Sequence, residues 1–204
     1  MSHLKKCVPY MTNPELIGLA KNRYLDEEDQ VAIAEYHYRR AHNYLIENIN
    51  LKAAARDVLW TYNGYARKCE LIAYGHYDGD SEKYHELYDS YATQMRVRSP
   101  WRIPRVFLRH SRWYSHGSST FTESTGTPPE IIEDIYLKDV QRARANRDAS
   151  SIHMYSYYAS GPDSTEKSII ENKNTPLELI VKISASSPEE RNRNLAMKTM
   201  ARRS

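Results

Sequence analysis

Apolar residues recur along the chain in a short phrase that ends in asparagine. The phrase occurs as Leu19-Ala20-Lys21-Asn22 before Leu25, as Leu45-Ile46-Glu47-Asn48 before Leu51, and as Ile169-Ile170-Glu171-Asn172 before Thr175. We take the first residue of the phrase as its anchor. The anchors Leu19, Leu45 and Leu71 are 26 residues apart, and Leu195 lies 26 residues after the anchor Ile169. A fixed interval of this length is typical of a structural repeat.

The repeat keeps its phase through the middle of the chain. Between Leu71 and Ile169 the anchors are Val97, Phe121 and Ala143. Of these, Phe121 has the strongest support, because Thr127 follows it by six residues as Thr175 follows Ile169. Val97 and Ala143 are assigned by phase alone.

Each repeat is predicted to contain two short helices. Thr127-Pro128-Pro129-Glu130 and Thr175-Pro176-Leu177-Glu178 predict helix starts, with Thr at the N-cap, Pro at the first helical position and Glu in the first turn. Ser187-Pro188-Glu189-Glu190 repeats this chemistry and marks the second helix. The asparagine of the phrase is predicted to close a helix, since Asn tolerates the left-handed conformation at a helix C-terminus and can bond neighbouring backbone. We interpret these asparagines as structural, with ligand binding as the alternative.

Two helices in about 26 residues cannot bury their apolar faces alone, so neighbouring repeats must stack. The predicted fold is all-α, a right-handed α-solenoid of about eight two-helix repeats in one domain, residues 1–204. Within it we expect an N-terminal cap (1–12), the first repeats (13–114), a polar loop insertion (115–126), and later repeats with a C-terminal helix (127–204).

These repeats resemble the leucine-rich repeat variant family, whose units carry a phrase like LAxNxxTPxExLxxLA and are akin in shape to HEAT-type arrays. Ile169 to Ile183 matches best, followed by Leu19 to Ala34 and Phe121 to Ile135, so that about half of the chain is covered. The resemblance implies a helical repeat fold. It implies a binding role only by analogy, since such repeats occur in proteins of unrelated function.

Charge is unevenly distributed along the chain. Residues up to Thr93 carry 11 Lys+Arg and 14 Asp+Glu, whereas the remainder carries 18 and 12. The segment from Gln94 to Thr122 has six arginines and no acidic residue. A helix starting near Pro104 would separate a charged stripe from an apolar one. The residues predicted to bind a partner are Arg98, Trp101, Arg102, Arg105, Arg109, Arg112, Trp113 and Tyr114.

This basic and aromatic segment predicts docking on another macromolecule, most readily a protein with an acidic surface. The alternative partner is nucleic acid, with phosphate contacts from Arg98, Arg102, Arg105, Arg109 and Arg112. A purely structural interpretation is a solvated face, or ion pairs to acidic residues such as those of 26–29. Basic segments at Arg142–Arg147 and Arg191–Arg203 favour an acidic partner slightly.

Motifs of catalysis and metal binding are missing from the sequence, so we predict a non-enzymatic protein without cofactor or metal. His76-Tyr77-Asp78-Gly79-Asp80 is interpreted as a turn whose Asp80 or Ser81 caps the next helix, rather than as a metal site. His110 and His116 leave open an enzyme acting on nucleic acid. Cys7 and Cys69 are expected to be reduced thiols.

Hydropathy and composition predict where the protein is located. No apolar run is long enough for a membrane span, and the N-terminal sequence lacks a signal peptide, so we expect a cytoplasmic protein with no membrane partner. A compact, motif-poor chain with 17 Tyr and two Phe suggests a viral or mobile-element accessory protein acting in the host cytoplasm.

Tyr84, Tyr88 and Tyr91 form a helical stripe. We interpret this stripe as packing between repeats, with an aromatic binding surface as the alternative.

Overall fold

A computed structural model describes residues 3–36, 38–97, 118–141, 144 and 162–204. Every regular element in these ranges is a helix, and no β-strand occurs among them. The prediction of an all-α fold is therefore confirmed. The chain divides into two compact units, residues 1–76 (unit 1) and residues 77–204 (unit 2).

Unit 1 consists of three helical hairpins. Its helices are α1 (His3–Cys7, continued by a 3-10 turn at Val8–Tyr10), α2 (Asn13–Ala20), α3 (Glu27–Glu35), α4 (Arg39–Ile46), α5 (Ala53–Tyr62) and α6 (Tyr65–Ala73). The first helices pack in chain order, α1 on α3 and α3 on α5, while α2 packs on α4. Val8, Ala34 and Trp60, spaced by 26 residues, are all buried. The sequence interval therefore corresponds to one hairpin of this unit.

Unit 2 begins with the long helix α7 (Ser81–Val97). The later helices are α8 (Ser118–Glu123), α9 (Pro129–Ile135, continued by a π-helical turn at Tyr136–Gln141), α10 (Pro162–Glu171), α11 (Leu177–Ser186) and α12 (Glu190–Arg203). Helix α10 packs on α8, on the π-helical turn and on α12, and α11 packs along α12. The predicted anchors Phe121 and Ile169 are completely buried in this unit.

Residues 118–123 of the expected polar loop are helical. They form α8, in which Thr120, Phe121 and Thr122 are buried. The Phe121 ring makes an edge-to-face contact with Tyr88 at a centroid distance of 5.3 Å. The prediction of a loop was wrong here because the many hydroxyl residues around Phe121 masked one strongly apolar side chain that the core requires.

The Thr-Pro signals start helices, but the threonines are not the N-caps. Helix α9 begins at Pro129 and α11 at Leu177, so a proline precedes each helix. Thr127 and Thr175 instead donate their hydroxyl protons to the carbonyl oxygens of Phe121 and Ile169, six residues earlier. The carbonyls in the last turn of a helix lack partners within that helix, and the buried threonine hydroxyls supply them.

The repeated asparagines form side-chain turns. The Oδ1 atoms of Asn22, Asn48 and Asn172 accept hydrogen bonds from the main-chain N–H two residues later, at 2.9–3.0 Å. No described residue other than glycine has a positive φ, so the predicted left-handed conformation is wrong. The structural interpretation is confirmed, because the Nδ2 group of Asn48 donates to the Asn22 carbonyl of the preceding hairpin at 3.4 Å.

Candidate binding surfaces

The principal predicted binding segment lies outside the described residues. This applies to Arg98, Trp101, Arg102, Arg105, Arg109, Arg112, Trp113 and Tyr114, and also to His110 and His116. Their role in binding stays a prediction.

Helix α12 carries a basic face that the structure does describe. Arg191, Lys198 and Arg202 are exposed, and intervals of seven and four residues place them on one side of the helix. The acidic residue of α12 is Glu190 in its first turn, followed by 13 residues without a carboxylate side chain. We call Arg191, Lys198 and Arg202 the basic face. Met197 borders it with 51% of its surface exposed.

Two other arginines of α12 have structural roles. Arg193 donates from Nη1 to the carbonyl oxygens of Ser187 and Pro188, at 2.7 and 3.0 Å. Arg203 donates to the carbonyl oxygens of Thr175 and Asn172, at 2.7 and 2.6 Å. These bonds fix both ends of α12 against the preceding turns. The basic segment Arg191–Arg203 thus divides into structural arginines and an exposed charged face.

Arg144 forms ion pairs with two carboxylates of unit 2. Its Nη1 and Nη2 atoms lie 2.7 and 2.9 Å from the two carboxylate oxygens of Glu166, and Nη2 lies 2.9 Å from Oδ1 of Asp163. Hydrogen bonds to Glu166, its largest influence, raise the pKa of the Arg144 guanidinium above its ordinary value. Within the predicted basic segment Arg142–Arg147, the one described arginine therefore belongs to an ion-pair network.

The carboxylate at the centre of this network accepts hydrogen bonds from three different side chains. Glu166 has no exposed surface, and besides the two bonds from Arg144 it accepts one from the Ser187 hydroxyl and one from Asn192 Nδ2 at 2.9 Å. Three of the four donors bind Oε2 and one binds Oε1. Glu166 therefore joins α10 to the start of α12.

The tyrosine stripe of α7 is a packing element. Tyr84 donates to Asp78 at 3.0 Å, Tyr88 to Asp134 at 2.7 Å and Tyr91 to Asp139 at 2.8 Å. Burial is the main reason that the pKa values of Tyr84 and Tyr88 are raised above those of free tyrosine. The packing interpretation is confirmed, since these rings join α7 to later elements of unit 2.

The sequence His76–Asp80 forms turns and a cap. Asp80 Oδ1 accepts a hydrogen bond from the Lys83 N–H at 3.2 Å, which caps α7 as predicted. The Asp78 carboxylate is held by the hydroxyls of Tyr84 and Thr125. No group of three potential metal ligands occurs in the parts of the chain that the structure describes.

His76 makes a bond of its own within unit 1. Its Nε2 group donates to the Ile46 carbonyl at 2.6 Å. Burial, the largest influence, lowers the pKa of His76 below its ordinary value, and the nearby Arg56 acts in the same direction. The imidazole therefore links two hairpins, and its burial favours the neutral form.

The chain has no match among known protein families, curated proteins or solved structures. The likeness to leucine-rich repeat variant units accordingly rests on the motif residues alone. Among the described helices, none is long and apolar enough to cross a membrane.

The sequence predicted that the segment Arg191–Arg203 is basic, but not which of its side chains are exposed. The spacing of Arg191, Lys198 and Arg202 carries that information, because seven and four residues are whole turns of a helix. No comparable signal exists for the Arg144–Glu166 pair. Its members are 22 residues apart, and tertiary packing brings them together.

Proposed function

We propose that the protein is a non-enzymatic adaptor that docks on another protein through basic side chains. The observation that supports this is the basic face of α12, where three exposed cations share one side of a helix. Arg193 and Arg203 of the same helix are bound to main-chain carbonyls, and Arg144 is bound to Glu166. A basic helical face favours a partner with an acidic surface.

The proposal includes the architecture predicted from the repeat. About eight stacked hairpins in a right-handed α-solenoid would present the segment from Arg98 to Tyr114 as a second basic surface. The 26-residue interval and the packing of the three hairpins in unit 1 support this arrangement. We place such an adaptor in the cytoplasm, as an accessory protein of a virus or mobile element.

Nucleic acid is the alternative partner, and one observation favours it. Six arginines, aromatic residues and no carboxylate lie between Gln94 and Thr122, which suits phosphate contacts and base stacking. The two partners differ in their response to salt. Binding to nucleic acid weakens steeply and linearly in log salt, because each neutralised phosphate releases counterions.

A charge-reversal experiment tests the proposal. A labelled polyglutamate peptide, a single-stranded RNA and a DNA duplex are titrated with the protein at two salt concentrations. The triple variant Arg191→Glu, Lys198→Glu, Arg202→Glu should lose binding to the acidic peptide. Its matched control changes three exposed cations of unit 1, Lys21→Glu, Arg23→Glu and Lys52→Glu, and should retain binding.

Each outcome of this experiment decides between partners. Loss of peptide binding in the α12 variant alone supports the adaptor proposal. Equal loss in the control variant contradicts a specific basic face. Tighter binding to RNA or DNA, with a steep salt dependence, favours the nucleic-acid alternative, and absence of binding to every probe at low salt contradicts both.

A further inference from the structure

A tyrosine recurs at one position of the three hairpins in unit 1. Tyr10, Tyr36 and Tyr62 are spaced by 26 residues. Tyr10 ends the 3-10 turn after α1, Tyr36 directly follows α3, and Tyr62 is the last residue of α5. Each therefore stands where the first helix of a hairpin turns towards the second. We call these three residues the tyrosine edge.

Two of the three side chains of the tyrosine edge are mostly exposed, and the middle one is partly exposed. Two residues before each of them, Val8, Ala34 and Trp60 are buried with at most 3% of their surface exposed. Tyr10 is 88% exposed and Tyr62 is 61% exposed, whereas Tyr36 is half-buried. Large aromatic side chains held outside in a regular row are typical of an interaction surface.

The spacing of the row limits what can lie along it. Because α1, α3 and α5 pack in order, and packed helices lie about 8–10 Å apart, we expect equivalent positions of successive hairpins to recur at about that distance. A polyproline II helix advances about 9 Å in each three-residue turn, so one turn matches one hairpin. Side chains on one face of a β-strand recur about every 7 Å, which does not match.

The chemistry of the edge fits the same ligand. Tyrosine rings offer flat apolar faces to proline, and their hydroxyls can donate to ligand carbonyls, which have no internal hydrogen bonds in a polyproline II helix. Lys6, Arg39 and Arg40 are exposed close to these tyrosines in the chain. The nearby carboxylate of Glu35 is paired with Lys5 at 3.0 Å, so the surplus charge is positive.

We propose that the tyrosine edge binds an acidic, proline-rich segment in the polyproline II conformation, with one tyrosine per turn of the ligand. The inference rests on the proposed function, since it names the kind of segment that the acidic partner protein would contribute. It assigns that segment to unit 1, whereas the basic face of α12 belongs to unit 2.

A binding titration tests this proposal. The probe is a fluorescent peptide of four Glu-Pro-Pro triplets, and anisotropy should show saturable binding to the full chain. The double variant Tyr10→Ala, Tyr62→Ala should bind about ten-fold more weakly or worse, as expected for loss of two aromatic contacts. The matched control Tyr24→Ala, Tyr74→Ala removes rings that are 92% and 54% exposed on the other turns, and should change binding less than about two-fold.

Three further ligands define the specificity. A Glu-Gly-Gly peptide keeps the charge without the polyproline II conformation, a Lys-Pro-Pro peptide reverses the charge, and a 12-nucleotide single-stranded RNA represents the other class of ligand. All three should bind more weakly than the Glu-Pro-Pro peptide. Thermal unfolding of each variant should match that of the unmodified protein, because the substituted rings are exposed.

Several results would overturn the proposal. They are absence of saturable peptide binding, an equal loss in the control variant, equal binding of the glycine peptide, and tighter RNA binding that depends on Tyr10 and Tyr62. The proposed function has a separate test: if polyglutamate binding still depends on the basic face of α12, only the polyproline proposal fails. If that dependence is also missing, both fail.

Discussion

Units 1 and 2 contain the same repeated phrase, but carboxylates take a larger part in joining the elements of unit 2. In unit 1, Gln30 binds the main chain before α5: its Nε2 donates to the Asn50 carbonyl at 3.2 Å, and its Oε1 accepts from the Lys52 N–H at 2.8 Å. In unit 2, Asn172 binds the Thr122 carbonyl in a similar way, and carboxylates add further links in the bonds of Tyr88 to Asp134 and of Arg144 to Glu166.

The two units also treat one periodic position differently. Tyr88 follows Tyr62 by the same 26 residues that separate Tyr36 from Tyr62. Tyr62 is 61% exposed, whereas Tyr88 is 7% exposed and bonded to a carboxylate. The same repeat interval thus leads to an exposed ring at the end of α5 and to a buried ring within α7, and the neighbouring elements decide how much of each ring is exposed.

The largest expected effect comes from breaking the ionic link of unit 2. Arg144→Met leaves Glu166 buried without its cation and should lower the free energy of unfolding by about 3–5 kcal/mol. Urea unfolding followed by circular dichroism measures the loss. Arg191→Met, at an exposed cation of the same unit, should stay within about 0.5 kcal/mol. A loss below about 1 kcal/mol for Arg144→Met would show that the pair is not essential.

Glycine substitutions should have opposite signs in the two units. A Cβ at Gly126 in unit 2 would overlap Asp78 Oδ1 and lie 2.9 Å from Asp78 Cα, so Gly126→Ala should cost about 1–3 kcal/mol. Gly18 lies within α2 of unit 1 with nothing within 4 Å of a Cβ, so Gly18→Ala should stabilise by up to about 1 kcal/mol. Thermal unfolding of both variants provides the measurement. The same sign for both would refute the steric argument.

Removing one hydroxyl compares buried and exposed tyrosines directly. Tyr88→Phe keeps the ring against Phe121 but loses the 2.7 Å bond to Asp134, at an expected cost of about 1–2 kcal/mol. Tyr24→Phe alters a ring that is 92% exposed and should change stability by less than about 0.5 kcal/mol. Urea midpoints at pH 7 distinguish the two. Equal effects would contradict the assignment of Tyr88 as a packing residue.

The smallest effect is a pH dependence contributed by His76 of unit 1. Its pKa is lower in the folded than in the unfolded chain, mainly through burial, so the unfolded chain binds the proton more readily. This contribution is fully present above the unfolded pKa of about 6.5 and is lost as the pH falls through the folded pKa.

His76→Gln removes this titration and the imidazole bond to Ile46. At pH 8 the variant should be about 1 kcal/mol less stable than the unmodified protein, and the difference should shrink as the pH falls towards 5.5. Urea unfolding at four pH values measures it. A difference that grows on acidification would contradict the direction of the pKa shift.

Local signals in the sequence predicted much of the framework. The helices near Thr127 and Thr175 begin within two residues of the threonine, because proline and the preceding residue have few allowed conformations. The hydroxyl partners of those threonines were not predicted. They are carbonyls freed at the end of the preceding helix, and their position depends on how each turn folds back.

Contacts between residues far apart in the chain could not be predicted from the sequence. The approach of Arg144 to Glu166 depends on the packing of α10, and the burial of Tyr88 depends on α8 and on the segment that carries Asp134. Both contacts bridge intervals that no helical or repeat period relates. The 26-residue recurrence of Tyr10, Tyr36 and Tyr62, by contrast, is visible in the sequence. The structure adds that Tyr10 and Tyr62 are exposed.

The sequence by itself determined the helical fold of the described residues, the 26-residue interval of the hairpins in unit 1 and the structural role of the asparagines, because these follow from periodicity and local backbone preference. Tertiary structure decided which charges and rings remain on the surface. Arg193 and Arg203 bind carbonyls while Arg191 and Arg202 stay exposed on the same helix. The physical reason is that a side chain's partners come from neighbouring elements, whose positions are set by packing.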